Sequence, residues 1–178
     1  VGSRMCYSKN WKTFHDFLFS YLGNMLGQQL GNEELRKPLP ERHPIAQWYY
    51  HVCIYQRQTI KVPGQVSTVP ATGAVSAYLE LAYNLYLLAH NAKLQTALIK
   101  RLLHKEQFRG AHYETFVAAS FIKAGCDLEF ENETDSSRSH CEFTATFKKT
   151  GHRYSVEAKA RTPGKPASKI GAQLYNAL

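Results

Sequence analysis

Glu142, Glu157 and Lys159 are the residues of this 178-residue chain whose types and spacing could do chemistry. Two carboxylates that meet repel each other unless a cation lies between them, and carboxylate oxygens suit a hard divalent ion, Mg²⁺ or Mn²⁺. Such an ion polarises a phosphodiester, and a neighbouring ammonium group stabilises the charge that develops. The alternative interpretation is that these residues are solvated charges, because exposed hairpins often carry opposite charges on their outer face.

An alternating pattern of apolar and polar residues predicts a β-hairpin that carries these three residues. The pattern runs through residues 141–147 and again through residues 153–158, and such alternation is typical of strands. A two-residue turn at Thr150 and Gly151 would join the two strands in antiparallel pairing. Because a shift of one residue would bury the carboxylates, we expect two cross-strand pairs on the polar face: Glu142 with Lys159, and Thr144 with Glu157.

A further acidic residue, Glu114, interrupts the apolar stripe of a predicted helix over residues 108–124. Gly125 supplies the stop signal of this helix. A carboxylate that faces a protein core is costly unless it is paired or bound to a metal. If the helix packs on the sheet, Glu114 can approach the edge that carries Glu142 and Glu157. The alternative is a glutamate at the margin of the stripe that reaches solvent.

Three stretches of the chain carry a family resemblance: FRGAHYETFVAASFIKAG at residues 108–125, CEFTA at 141–145 and YSVEAK at 154–159. Together they resemble the PD-(D/E)xK superfamily of restriction-endonuclease-like nucleases, whose core is helix, three strands, helix, strand. The resemblance covers residues 108–178 and implies catalytic roles for Lys159, Glu157 and Glu142. It also implies a metal site whose ligands are Glu114, Glu142 and Glu157, and it places Gln173 beside the active site.

The chain is basic, with 22 Lys and Arg against 14 Asp and Glu, a net charge of +8 and a pI near 9.3. This balance favours a polyanionic partner, nucleic acid before an anionic membrane surface. Residues 148–169 hold seven basic residues against one acid, Glu157, beside the predicted carboxylate site. A basic segment there suits a phosphate backbone that must reach a metal. The expected nucleic-acid contacts are Lys148, Lys149, Arg161, Lys165, Lys169 and Gln173.

The residue composition changes near residue 107. This change predicts a helical region over 1–107 and a nuclease-like core over 108–178. The whole is expected to be a mixed α/β fold of the α+β class. Because the chain ends within its last predicted helix, the final strand of the family core is expected to be absent. The predicted helices are 11–30, 45–58, 74–89, 92–104, 108–124 and 167–178, and the predicted strands are 128–133, 141–147 and 153–158.

The predicted helix over residues 74–89 is apolar on more than one face. A single amphipathic helix cannot hide that much apolar surface. We therefore expect it at the centre of a helical bundle or in a homodimer interface.

Composition excludes several other classes of protein. The share of hydrophobic residues, 44%, and of charged residues, 20%, is globular and excludes disordered, collagen-like and coiled-coil chains. The four cysteines lack the spacing of a zinc finger and are expected to be small core residues in a reducing compartment. The longest apolar stretch is too short and too interrupted to cross a bilayer. We therefore expect a cytoplasmic protein that does not associate with membranes.

These features predict a magnesium-dependent enzyme that hydrolyses phosphodiester bonds, with DNA favoured over RNA as its substrate. Two alternatives remain open. One is a nuclease-derived module that binds nucleic acid without cutting it, since Glu142 stands where the family usually has Asp. The other is a protein-interaction module in which the helical region matters and the carboxylates are surface charges.

Overall fold

The computed structural model describes residues 5–62, 64–92, 96–130 and 142–160, with the backbone alone at residues 28–30. In these ranges six α-helices precede a three-stranded antiparallel sheet in the order β1-β2-β3, which confirms the α+β fold class. The helices are α1 (Phe14–Leu26), α2 (Gln28–Arg36), α3 (Pro44–Thr59), α4 (Gly73–Asn91), α5 (Thr96–Leu103) and α6 (Phe108–Lys123). The strands are β1 (Cys126–Phe130), β2 (Phe143–Phe147) and β3 (Arg153–Val156).

The first predicted helix, over residues 11–30, is wrong as a single element. The side chain of Thr13 accepts a hydrogen bond from the Asp16 N–H, and the Asp16 carboxylate accepts one from the Thr13 N–H. This capping box begins α1 after residue 11. Gly27 then adopts a φ of 75°, a value that L-residues rarely tolerate, and it separates α1 from α2.

Helix α4 lies at the centre of the helical part of the fold. It packs against α1, α3 and α6. Its fully buried side chains include Tyr78, Leu81, Leu85 and Leu88. The prediction that this stretch is central to the bundle is therefore confirmed.

Helix α6 connects the bundle to the sheet. It packs against α4, α5 and β1, and the centroids of the Phe121 ring and the Phe143 ring of β2 lie 5.7 Å apart. Gly125, at a φ of 90°, turns the chain from α6 into β1, as its position in the sequence predicts. Buried residues of the helices and of the sheet form one hydrophobic cluster, from Leu18 to Ala145. The division of the chain near residue 107 stays a prediction.

The predicted register of the hairpin is wrong by two residues. Thr144 pairs with Ser155, not with Glu157, and Ala145 pairs with Tyr154. The reason is the turn, which holds the four residues 148–151: the Phe147 N–H donates to the His152 carbonyl at 2.8 Å. A shift of two residues conserves the alternation of faces, so the apolar face is still the one that is buried. Glu142 is consequently not opposite Lys159.

The other boundaries differ from the predictions by a few residues. Strand β1 begins at Cys126, two residues before the predicted start. Helix α5 is described from Thr96 to Leu103, whereas residue 92, its predicted start, directly follows the last residue of α4. The end of the predicted strand 128–133 and the whole predicted helix 167–178 lie outside the described residues.

The described cysteines differ in their burial. Cys126 is buried, Cys53 is half-buried and Cys6 is exposed, so the expectation of core cysteines is wrong for Cys6, while Cys141 lies outside the described residues. In the part of the chain that the structure covers, no helix combines the length and the apolar character that crossing a membrane requires.

Candidate metal and nucleic-acid site

Glu142 and Glu157 lie at the open end of the β2–β3 hairpin. Glu142 directly precedes β2, and its backbone N–H donates to the Val156 carbonyl at 2.9 Å. Val156 is the last residue of β3, and Glu157 follows it. The backbone therefore brings both acidic residues to the same end of the sheet, away from the turn over residues 148–151.

Lys159 is the partner of Glu157 at this end of the hairpin. Its Nζ lies 2.6 Å from Oε1 of Glu157, and the side chains are 73% and 46% exposed. An ion pair this open to water contributes little to stability. The ammonium and the carboxylate are accordingly accessible to a ligand. The ion pair joins two residues of the same segment, whereas the sequence predicts that Lys159 pairs with Glu142 across the hairpin.

Glu114 is buried, with only 3% of its surface exposed. The Arg101 guanidinium on α5 neutralises it: Nη2 of Arg101 lies 2.8 Å from Oε2 and 3.1 Å from Oε1 of Glu114. A buried carboxylate needs such a partner because desolvation of an uncompensated charge is costly. The expectation of a core-facing glutamate is confirmed, and the alternative in which it reaches solvent is wrong.

Arg101 is a residue that sequence reasoning missed. The signal was present, since a single acid in an apolar stripe requires a cation nearby. Residues 100–109 offer Lys100, Arg101, Lys105 and Arg109 in addition to His104, and the sequence does not distinguish among them. The crossing of α5 and α6 decides which cation reaches the carboxylate.

The three glutamates do not form one ligand set. Among the residues that the structure describes, no three His, Cys, Asp or Glu side chains are grouped so that they could hold a metal ion. The hairpin end nonetheless suits Mg²⁺, which typically uses one or two protein carboxylates together with waters and substrate phosphates. Glu142 and Glu157 fit that requirement, whereas Glu114 is held by Arg101.

The two described basic residues of the predicted nucleic-acid contact lie at the other end of the hairpin. Lys148 and Lys149 are exposed residues of the turn, and Nζ of Lys148 lies 3.0 Å from Oδ1 of Asp127. A five-residue strand such as β2 spans about 17 Å, so these lysines are well separated from the carboxylates. The other expected contacts lie outside the described residues: Arg161, Lys165, Lys169 and Gln173.

Comparison with known proteins finds no family model, no curated protein and no solved structure that matches this chain. The resemblance to the PD-(D/E)xK superfamily therefore rests on the residues of this chain alone and stays a prediction.

Proposed function

We propose that this protein is a metal-dependent nuclease that hydrolyses phosphodiester bonds in DNA and uses Mg²⁺ or Mn²⁺. The observation that carries the proposal is the open end of the hairpin. There the Glu142 N–H donates a hydrogen bond to the Val156 carbonyl, and the Lys159 ammonium forms an ion pair with the Glu157 carboxylate. Two carboxylates and an accessible ammonium group at one end of a sheet are the groups that this chemistry requires. The net charge of +8 suits a polyanionic substrate.

Each residue of the hairpin end has a role in this proposal. Glu142 and Glu157 would hold a divalent ion, which would supply positive charge that polarises the phosphodiester. Lys159 donates a hydrogen bond to a non-bridging phosphate oxygen and stabilises the negative charge that grows there. The exposure of Lys159 and Glu157 lets a phosphate backbone approach both groups. DNA is favoured over RNA because the family that the sequence resembles acts on DNA.

A plasmid-cleavage assay with Mg²⁺, repeated with a chelator, tests the proposal. We expect cleavage that requires the metal and that Glu157→Gln abolishes together with calorimetrically measured Mg²⁺ binding. Lys159→Ala should lower the cleavage rate by about 10²-fold or more, the scale for loss of one preorganised electrostatic partner, and should leave metal affinity largely intact.

Lys148→Ala is the matched control, because Lys148 is also exposed and also paired with a single carboxylate, that of Asp127. It should retain cleavage, since it lies at the far end of the hairpin. Equal losses in Lys159→Ala and Lys148→Ala would show that Lys159 acts only as surface charge and would contradict the assigned role.

The second candidate function is a module that binds nucleic acid without cutting it. The Arg101–Glu114 pair favours it, because this pair occupies a carboxylate that the family resemblance assigns to the metal. Binding of a DNA duplex that weakens steeply with salt, without cleavage at any concentration of Mg²⁺ or Mn²⁺, would select this function over the first.

A further inference from the structure

One solvent-facing side of α6 carries exposed aromatic and basic side chains together. Residues three or four positions apart lie on the same side of a helix, and this spacing joins Arg109, Tyr113, Phe116, Ser120 and Lys123. Tyr113 and Phe116 are 42% and 41% exposed, and both basic residues are exposed as well. None of the five residues is acidic. We call them the α6 stripe.

The core of the fold uses the other sides of α6. The helix packs against α4, α5 and β1 and buries Ala111, Ala118 and Ala119. Single exposed aromatic rings are common on protein surfaces, but two adjacent rings between two cations form a patch that is apolar and positively charged at once. Such a patch suits a ligand that has flat rings and negative charge.

Lys123 is held beside the Phe116 ring. Its Nζ lies 5.9 Å from the ring centroid and donates a hydrogen bond to Oδ1 of Asn84 at 3.4 Å. Asn84 is a buried residue of α4, 1% exposed, so its side chain is a well-placed acceptor. The charge and the ring are therefore positioned together before a ligand arrives, which lowers the entropic cost of binding.

The length and the surroundings of the α6 stripe fit a strand of nucleic acid. Arg109 and Lys123 lie about 21 Å apart along the helix axis, the length of about six stacked nucleotides at about 3.4 Å each. The hairpin turn lies at the Lys123 end, because the Lys148 N–H donates to the Gly125 carbonyl at 3.1 Å. The exposed Lys149 of that turn adds positive charge there.

We propose that the α6 stripe binds single-stranded DNA. The bases stack on Tyr113 and Phe116, and the phosphates pair with the basic residues at either end. A duplex hides the faces of its bases, and an acidic peptide lacks a ring at every unit, so a single strand is the polyanion that matches both features. The inference deepens the proposed function and rests on it for the choice of DNA over RNA. It does not involve the metal, since the stripe lies on α6 rather than on the hairpin.

Fluorescence anisotropy in the presence of EDTA, so that no cleavage occurs, tests the proposal. The probes are a labelled oligothymidylate of about 15 nucleotides, longer than the stretch that the stripe spans, and an abasic strand of the same length. We expect the oligothymidylate to bind at least about fivefold more tightly than the abasic strand, which retains the phosphates but has no bases to stack. Oligoglutamate should compete only weakly with the oligothymidylate.

Variants of the two aromatic residues test the stacking. Tyr113→Ala and Phe116→Ala should each weaken binding of the oligothymidylate by at least about fivefold and leave binding of the abasic strand unchanged. Phe116→Trp keeps an aromatic ring and should retain the affinity. Tyr50→Ala is the matched control and should bind as the wild-type chain does. Tyr50 is 38% exposed on α3 and also has a cation near its ring, the Arg42 guanidinium at 5.3 Å, but it lies outside the stripe.

Variants of the two basic residues test the phosphate contacts. Arg109→Gln and Lys123→Gln should weaken binding of both probes. Each should also reduce the slope of the logarithm of the binding constant against the logarithm of salt concentration by about 0.7, the single-strand value for one phosphate. If Lys123→Gln does not fold because its contact with Asn84 is lost, Arg109→Gln supplies the test, since Arg109 is exposed.

The outcomes separate this inference from the proposed function. Equal affinity for the two strands, or unchanged affinity in both alanine variants, would overturn the proposal. Competition by oligoglutamate as strong as that by unlabelled oligothymidylate would also overturn it and would indicate an acidic protein partner. Plasmid cleavage that requires Mg²⁺, by a chain that fails these tests, would leave the proposed function standing. Strand binding as expected, without cleavage at any Mg²⁺ concentration, would support the stripe and contradict the nuclease.

Discussion

At the scale of single residues, His43 joins the start of α3 to the end of α2. Its Nδ1 accepts a hydrogen bond from the Ile45 N–H at 3.2 Å, and its backbone N–H donates to the Glu34 carboxylate at 2.5 Å. Burial lowers the pKa of His43, an effect that Glu34 opposes and that Lys105 and Lys37 reinforce. The imidazole is therefore held neutral, which its role as a hydrogen-bond acceptor at the helix cap requires.

The first prediction at this scale is a loss of stability in mild acid. His112 is half-buried, and this burial lowers its pKa although Glu80 opposes the shift. Below the unfolded-state pKa of about 6.5, the unfolded chain takes up protons that the folded chain does not, so the free energy of unfolding falls as pH decreases. The slope has an upper limit of about 1.4 kcal/mol per pH unit for each histidine. Urea unfolding at pH 7.5, 6.5 and 5.5 measures it.

A variant isolates the part of this slope that belongs to His43. His43→Asn provides a side chain that caps helices without titrating, so the slope between pH 6.5 and 5.5 should be shallower than in the wild-type chain. Hydrogen bonds from Lys37 and the His43 backbone hold the pKa of Glu34 below its usual range despite burial, so its contribution is lost only at more acidic pH. An unchanged slope in His43→Asn would contradict the assignment to His43.

At the scale of elements, helices with a clear start or stop signal were predictable from the sequence. Pro44 begins α3 and Gly125 follows α6, and the apolar spacing between such signals determines a helix almost to its last residue. The break between α1 and α2 was not predictable, because the apolar pattern continues across Gly27. A glycine inside such a pattern indicates a cap only once its positive φ is known.

The register of the hairpin and the partner of Glu114 show the limit of sequence reasoning about the site. Alternation determines which residues share a face, but it leaves registers that differ by two residues equally good. The length of the turn decides between these registers. A glycine at position 151 is compatible with the predicted two-residue turn and with the observed four-residue turn. The burial of Glu114 followed from its apolar stripe, whereas its pairing with Arg101 depends on the crossing of two helices.

The prediction at this scale concerns two glycines, of which one adopts a positive φ and the other lies in a helix. Gly151 adopts a φ of 74° in the hairpin turn, so Gly151→Ala should destabilise the protein by about 1–2 kcal/mol. Gly110 lies in α6 with open space around the position that a Cβ would occupy, so Gly110→Ala should stabilise it by about 0.5–1 kcal/mol. Urea unfolding measures both. A loss in Gly110→Ala equal to that in Gly151→Ala would show that turn geometry is not the cause.

At the scale of the whole molecule, one hydrophobic cluster extends through the helices and the sheet. Tyr78 and Leu81 of α4, Ala118 of α6 and Phe143 of β2 all belong to it. Because α6 packs against both α4 and β1, a loss of packing at α4 would reach the sheet if these elements unfold together. The composition change near residue 107 predicts two separate regions, while a shared core favours one cooperative unit.

Leu81→Ala distinguishes these two cases. Leu81 is fully buried in α4, and its truncation should lower the free energy of unfolding by about 2–5 kcal/mol. If the core is one cooperative unit, hydrogen-exchange protection should fall by the same free energy at slowly exchanging amides of α3 and of β2. Leu35→Ala, at a position 42% exposed on α2, is the control. It should change neither the free energy of unfolding nor the hydrogen-exchange protection. Wild-type protection in β2 beside lost protection in α3 would mean that the sheet and α6 fold independently of the helical region, as expected of a nuclease-like core that begins at residue 108.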